Sequence, residues 1–291
     1  MATIMMETSS QDNWTEIISP KTNLFDLRLN ELWRYRDLVM MFVKRDFVFN
    51  YKQTILGPLW FLIQPLITTF TYFIMFGKAA GLAPTNIPPI LFYMSGVTIW
   101  SYFSECLTKT ATVFKDNAQM FGKVYFPRLT MPFSIVISNL IRFGIQFGLF
   151  LLIWIYYLLK SNSGVHPNIP LLFITPFLVI VMGVLALGSG MIVSSLTTKY
   201  KDLIFLMTFG VQLLMFATPI IIPLEKIPEK YKWIIMANPI SPIVETFRYA
   251  YTGAGILNWW NLLYSLVFAM VILFFGAIVF NKVEKSFTDV V

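Results

Sequence analysis

Polar and apolar positions fall into long blocks along this chain rather than into short alternations. Residues 1–30 are mixed and polar, without the apolar core of a cleaved secretory signal. Residues 31–57 form a second unit, a helix over 31–49 and its connection. On a helical wheel Leu32, Tyr35, Leu38, Val39, Phe42 and Phe49 fall on one side. Arg34, Asp37, Lys44 and Arg45 fall on the other, with Arg36 and Asp46 out of register. Such a helix lies in a membrane interface or packs as the amphipathic helix of a soluble domain. Six apolar runs follow, at about 58–76, 89–108, 132–159, 171–196, 203–222 and 262–280. Several reach the roughly 18 residues needed to cross a hydrocarbon core of about 30 Å. Residues 223–261 break the series. They hold two short apolar pieces, 231–237 and 243–251, split by Asn238-Pro239-Ile240-Ser241-Pro242. Neither piece can span alone, so together they predict a re-entrant or interfacial helix pair, with a seventh and eighth span as the competing arrangement.

The pattern therefore predicts an all-α integral membrane protein. It has six transmembrane helices over 58–285, an N-terminal amphipathic interface helix, a re-entrant region at 223–261 before the last span, and a tail at 286–291. Composition agrees. Hydrophobic residues make up 57% of the 291 and charged residues only 13%, about half the usual share of a soluble domain.

Charge sets an orientation. Lys21, Arg28, Arg34, Arg36, Lys44, Arg45 and Lys52 precede the first run. Lys109, Lys115, Lys123 and Arg128, then Lys199 and Lys201, then Lys282 and Lys285 fall on the same side of a six-span layout, fifteen in all. Six fall opposite: Lys78, Lys160, Lys226, Lys230, Lys232 and Arg248. Basic loops stay in the cytoplasm, which puts both termini there. The net charge of +7 is then explained by orientation and anionic membrane lipids rather than by nucleic acid.

Several chemistries are excluded. A lone Cys106 leaves no intramolecular disulfide, and a lone His166 builds no metal site. Gly77-Lys78 and Gly122-Lys123 lack the preceding glycine and following Ser/Thr of a phosphate loop. Any ATP-driven function needs a separate ATPase.

Three stretches carry a resemblance. The first is Arg45-Asp46-Phe47-Val48-Phe49-Asn50-Tyr51-Lys52-Gln53-Thr54-Ile55-Leu56-Gly57-Pro58-Leu59-Trp60, with Pro65 beyond. The second is Asn117, then Lys123-Val124-Tyr125-Phe126-Pro127-Arg128-Leu129 and Pro132. The third is Asn238-Pro239-Ile240-Ser241-Pro242-Ile243-Val244-Glu245-Thr246-Phe247-Arg248. In this order, over residues 31–285, the chain resembles the polysaccharide-export permeases of type-2 ATP-binding-cassette transporters, such as the O-antigen, capsule and teichoic acid exporters. The resemblance implies a homodimer clamped by two ATPase subunits. ATP and magnesium would be bound by those partners and no cofactor by this chain. It also implies a coupling helix around 109–128 (Lys115, Asp116, Asn117, Lys123) and a smaller ATPase contact at Lys201 and Asp202. Ordinary positive-inside loops are the alternative at both places. By the same resemblance, Glu225, Pro239, Pro242, Glu245 and Arg248 belong to a gate near the outer mouth, or else to a lid that packs the bundle.

Further candidates come from residue chemistry. Aromatics are 17% of the chain. Tyr72, Phe73, Trp100 and Phe209 lie within predicted spans, where ring faces could carry a sliding sugar chain or simply pack helices. Arg34, Arg45 and Lys52 sit where they could meet a polyprenyl pyrophosphate headgroup or anionic lipid. Glu105 and Arg142 fall inside neighbouring spans. Intramembrane charges are costly unless paired or functional, which predicts a structural ion pair, with a lipid-linked phosphate on Arg142 as the alternative. Gly144 and Gly148 form a small-xxx-small pattern for intrachain packing or a dimer seam.

The expected function is the permease subunit of an exporter of lipid-linked polysaccharide, with O-antigen as first cargo, moved along a path at a two-fold interface. Capsule, teichoic acid, drug or small-lipid export are alternatives within the class. A membrane enzyme acting on polyprenyl phosphates would need clustered carboxylates for a metal, and none are clustered. A channel would need a filter-like segment, and none is visible.

Overall fold

A computed structural model of the chain describes residues 33–51, 56–121, 126–160, 164–200 and 202–287. The polar segment 1–30, Lys52, Lys123, Lys201 and the tail from 288 lie outside these described residues. Within them every regular element is helical.

Helix α1, Arg36–Tyr51, covers most of the helix predicted over 31–49. It buries Val39, Phe42 and Val43 and half-buries Tyr35 and Leu38. Tyr35, Leu38, Val39 and Phe42 belong to the face read from the wheel, which is pressed on α6 (Thr130–Leu159); Leu32 and the Phe49 side chain lie outside the described residues. Trp33, Met40, Met41 and Val48 are exposed beside the charges of the other face.

After a 3-10 turn over Gly57–Leu59, α2 runs Trp60–Tyr72 with Pro65 inside it. It widens into a π-helix, Phe73–Ala79, so Gly57–Ala79 forms one apolar rod of 23 residues. Helix α3 spans Pro89–Ala111, and Pro89 sits in its first turn, where a missing N–H costs nothing. Two short helices, α4 (Val113–Asp116) and α5 (Ala118–Phe121), precede α6. A single turn, α7 (Ile169–Leu172), leads into α8 (Thr175–Lys199). Helix α9 is Leu203–Phe216. Then come α10 (Glu229–Ala237), α11 (Ile240–Thr252) and α12 (Trp259–Phe287).

Four of these rods are long and apolar enough to cross a bilayer: Gly57–Ala79, Thr130–Leu159, Ile169–Lys199 and Trp259–Val283. The remaining two predicted runs differ for a packing reason. Helix α3 has the length, about 34 Å at 1.5 Å per residue, but carries Ser95, Thr98, Glu105 and Lys109. It can do so because it is wrapped by α2, α6, α8, α9 and α11. Helix α9 is apolar but has only 14 residues, about 21 Å. The run that continues to 222 leaves helical geometry at Ala217.

Helices α3 and α8 form the centre. The apolar stretch of α8 is 56% buried, against 17% for Gly57–Ala79. Helices α8 and α12 make the most extensive helix contact in the chain, and glycine is the reason. A Cβ on Gly276 would stand 2.5 Å from the Gly188 carbonyl oxygen, and one on Gly188 would stand 2.6 Å from the Leu273 nitrogen. The backbones touch, which is how small residues bring helices together without a hydrophobic driving force between them. Gly144 and Gly148 do not act this way within the subunit: a Cβ on either meets nothing within 4 Å.

Candidate functional site

Two polar arrangements and one aromatic cluster stand out from this apolar frame. The first lies where the broken helix pair meets α3. Asn238 and Pro239 end α10 and start α11. Asn238 accepts from the Ile240 N–H at 3.1 Å and donates to Thr218 Oγ1 at 2.9 Å. Pro239 caps α11, and Pro242 lies buried in its first turn, where proline is compatible with a helix. From Ile240 to Arg248 every residue of α11 is buried.

Glu245 and Arg248 lie one turn apart there, each side chain 2% exposed. Arg248 Nη1 donates to Glu245 Oε1 at 2.5 Å and Nη2 to the Pro219 carbonyl at 2.7 Å. Nε donates to Ser95 Oγ at 3.4 Å, and the guanidinium stands 3.9 Å from the centre of the Phe92 ring. The second Glu245 oxygen accepts from the Ile256 N–H at 3.2 Å. A buried charge pair is tolerable when its remaining donors and acceptors are met, and here three segments meet them. The pair ties α3 and the end of the α9 run, through Arg248, and the loop after α11, through Glu245, to one point. Glu225 is not part of it and lies exposed in the 3-10 turn Leu224–Lys226. Sequence reading placed Glu245 and Arg248 in one region but missed Phe92, Ser95 and Pro219, because chain separations of up to 153 residues leave no local signal.

The second arrangement joins α3 and α6. Arg142 and Glu105 form an ion pair, and Lys109 lies 3.7 Å from the same carboxylate oxygen. The Arg142 guanidinium stands 4.4 Å from the ring centre of Phe61 on α2. One carboxylate thus sits between two cations, beside an aromatic face.

The third feature is an aromatic cluster at the opposite end from α10–α11. Phe114 of α4 stacks on Phe280 of α12 at 4.6 Å and 24°, and packs on Phe121 at 5.8 Å. Phe121 meets Phe126, which meets Phe42 of α1. Val113, Leu187 and Met191 complete this small core. The loop between α3 and α6 is therefore anchored by its apolar residues, and Arg128 is buried with them against the Phe121 ring. Lys115 and Asp116 are exposed. Asp116 accepts from Thr112 Oγ1 at 2.6 Å, and Asn117 Nδ2 donates to the Val113 carbonyl at 3.0 Å. Asp202 lies exposed at the start of α9.

The other candidates are not brought together. Arg34 is exposed, and Arg45 is occupied by Asp46 at 2.8 Å and by the Phe42 ring at 5.0 Å. Their eleven-residue separation is about 16 Å of helix. Trp100 is buried against Phe103 in the subunit core. Tyr72 is half-buried, with its ring edge-on to Phe76 and its hydroxyl on Met215 sulfur. Phe73 lies against Phe70 and Lys78. Phe209 alone of the four points outward, 56% exposed.

Glu245, Arg248, the Glu105–Arg142 pair and the anchored loop fall inside residues 37–252, which match the family model described as ABC-2 type transporter. The chain belongs to the ABC-2 type transporter family. This makes it a multi-pass membrane protein of a transport family. Among curated relatives, an O-antigen export system permease protein RfbA of Klebsiella pneumoniae is 27% identical over 254 residues, 87% of this chain and 95% of that protein. RfbA of Myxococcus xanthus is 24% identical over 264 residues, 90% of this chain and 98% of that one. Polysialic acid transport protein KpsM of Escherichia coli is 23% identical over 232 residues, 79% and 87%. The family match opens inside α1 and closes on Thr252, the last residue of α11. The unit shared with other ABC-2 transporters therefore runs from the interface helix to the broken pair.

Proposed function

We propose that this chain is the membrane subunit of an ATP-driven exporter of lipid-linked polysaccharide, with O-antigen as the first cargo. The observation that carries the reading is the near end-to-end match, 95% of its length, to a protein named as an O-antigen export permease. In this reading six segments cross the bacterial cytoplasmic membrane, α3 and α9 included, and both termini are cytoplasmic. Helix α9 stops short because the α10–α11 pair re-enters above it.

Two copies form the path, and two separate ATPase subunits drive it. The exposed faces of Lys115, Asp116 and Asp202 are the docking points for the ATPases. A push on α4 reaches α12 through Phe280 and α1 through Phe126 and Phe42, so one contact moves three elements. The outer gate is α11, held shut by Arg248. Exposed aromatics such as Phe209 serve the glycan path, and Trp100 serves the core. The relatives named as polysialic acid transport proteins favour a capsular glycan as the second cargo.

The test is co-purification with the neighbouring ATPase, alongside a deletion strain. A stable complex of two permeases and two ATPases, with glycan trapped inside the deletion cells, supports the exporter. A chain that purifies without any ATPase, in cells whose surface glycan survives the deletion, overturns it.

A further inference from the structure

At the end that carries the α10–α11 pair, a hollow of about 450 Å³ opens between the loop before α7 and the end of α11. His166, Asn168 and Tyr249 line it, with Pro167, Pro170 and Gly253. The volume is within the roughly 300–1,000 Å³ of small-ligand sites.

The floor is rigid. A helix end leaves its last carbonyls unpaired, yet those of α11 are taken by other elements. The Asn168 N–H donates to the Ala250 carbonyl at 3.0 Å and the His166 N–H to that of Thr252 at 3.2 Å. Trp154 Nε1 donates to the Tyr251 carbonyl at 2.6 Å. Gly253 follows with φ of 76°, and a Cβ there would stand 2.5 Å from the His166 carbonyl oxygen. The loop lies flat against the helix end.

The side chains above that floor are uncommitted. Among the described residues the His166 imidazole, the Asn168 amide and the Tyr249 hydroxyl make no hydrogen bond. Together they offer donors and acceptors of both kinds. The Tyr249 ring, half-buried, and two prolines add apolar surface. No Asp, Glu, Lys or Arg lines the hollow, so it has nothing to neutralise a phosphate or a free carboxylate. Uncharged hydroxyls around a ring with a C–H face match this set.

We propose that this hollow is a saccharide subsite, which takes a neutral sugar unit of the glycan as it emerges. The proposal rests on the exporter reading, which supplies both the cargo and the outward side. An open site without ionic contacts binds weakly, which lets a polymer move on.

His166 is the chain's one histidine, so carbon-13 histidine labelling gives one imidazole signal from the full chain in lipid nanodiscs. The probe is surface glycan freed of its lipid by mild acid, taken from cells that carry this chain. The signal is expected to shift saturably. Tyr249→Ala and Asn168→Ala should each raise the midpoint about tenfold or more, whereas Tyr249→Phe, which keeps the ring, should hold most of the response. Asn168→Ala removes a side chain with no protein partner, so its effect is not a folding effect. A signal that freed glycan leaves unmoved, or a shift unchanged in both alanine variants, overturns the subsite. If deletion of the gene traps glycan inside the cell while the signal stays unmoved, the subsite alone falls. If deletion leaves surface glycan intact, the exporter reading falls and takes the subsite with it.

Discussion

Arg248 shows how one side chain can set a local structure. Its guanidinium uses a carboxylate, a carbonyl, a hydroxyl and an aromatic face at once, and only a planar, forked cation can do this. Arg248→Lys keeps the charge but loses the fork, so it should lower the thermal midpoint of the purified chain nearly as far as Arg248→Met. Removing one partner of a buried pair costs about 3–5 kcal/mol. Glu245→Gln removes the charge but keeps the shape, and should be milder than Glu245→Ala in the same assay. The Glu105–Arg142 pair makes a different prediction. Either single reversal, Glu105→Arg or Arg142→Glu, places like charges between α3 and α6 and should reduce the amount of folded chain in the membrane. The double reversal should recover part of it. Recovery will be partial, because Lys109 stands by the same carboxylate and Phe61 faces the guanidinium.

Among the elements, the contact of α8 with α12 is the least tolerant. Overpacking costs about 1–3 kcal/mol where side chains can give. At Gly276 the obstacle is the Gly188 backbone, which cannot give. Gly276→Val should therefore destabilise the chain in detergent far more than Gly144→Val, which meets open space within the subunit. The short α4 is the counterpart on the other side. Phe114 is 2% exposed and stacked on Phe280. On the proposed docking through Lys115 and Asp116, Phe114→Ala should leave the ATPase bound yet weaken the mechanical link to α12. The expected result is ATP hydrolysis that persists while surface glycan falls. Equal loss of both would place Phe114 in docking rather than in transmission.

The whole molecule has two ends, and each is assembled from distant parts of the chain. At one, Lys226 Nζ reaches the Gly81 carbonyl at 3.5 Å and the 164–168 loop joins α11. At the other, Thr197 Oγ1 donates to the Ala111 carbonyl at 2.9 Å, and α1, α4 and α12 share one aromatic cluster. Cys106 is the single cysteine and is buried, so a Cys106→Ser background suits accessibility mapping. An impermeant maleimide should label Glu225→Cys in intact spheroplasts and Asp116→Cys only in inverted vesicles. Labelling of both from one side would overturn the six-span layout.

The sequence by itself determined the class of this protein and its punctuation. Apolar runs of membrane length, the basic bias of alternate loops and the Asn238–Pro242 break are local properties, read from a few consecutive residues. The helices follow them closely: α3 starts at Pro89, α6 ends at Leu159, and α11 begins just after Pro239. The proximity of Glu105 to Arg142 was legible from the order of the runs, since both lie on neighbouring antiparallel rods at similar depth. Tertiary structure alone decided the rest. It set α3 at the centre, where burial by five helices lets a polar helix persist. It chose Gly188 and Gly276 over Gly144 and Gly148 as the close contact, although the local spacing favoured the latter. It turned Trp100 inward and Phe209 outward, and it gave Arg248 partners from three segments. A hydropathy pattern records how apolar a position is, not which neighbour will cover it. In a chain that is 57% hydrophobic, that choice belongs to packing.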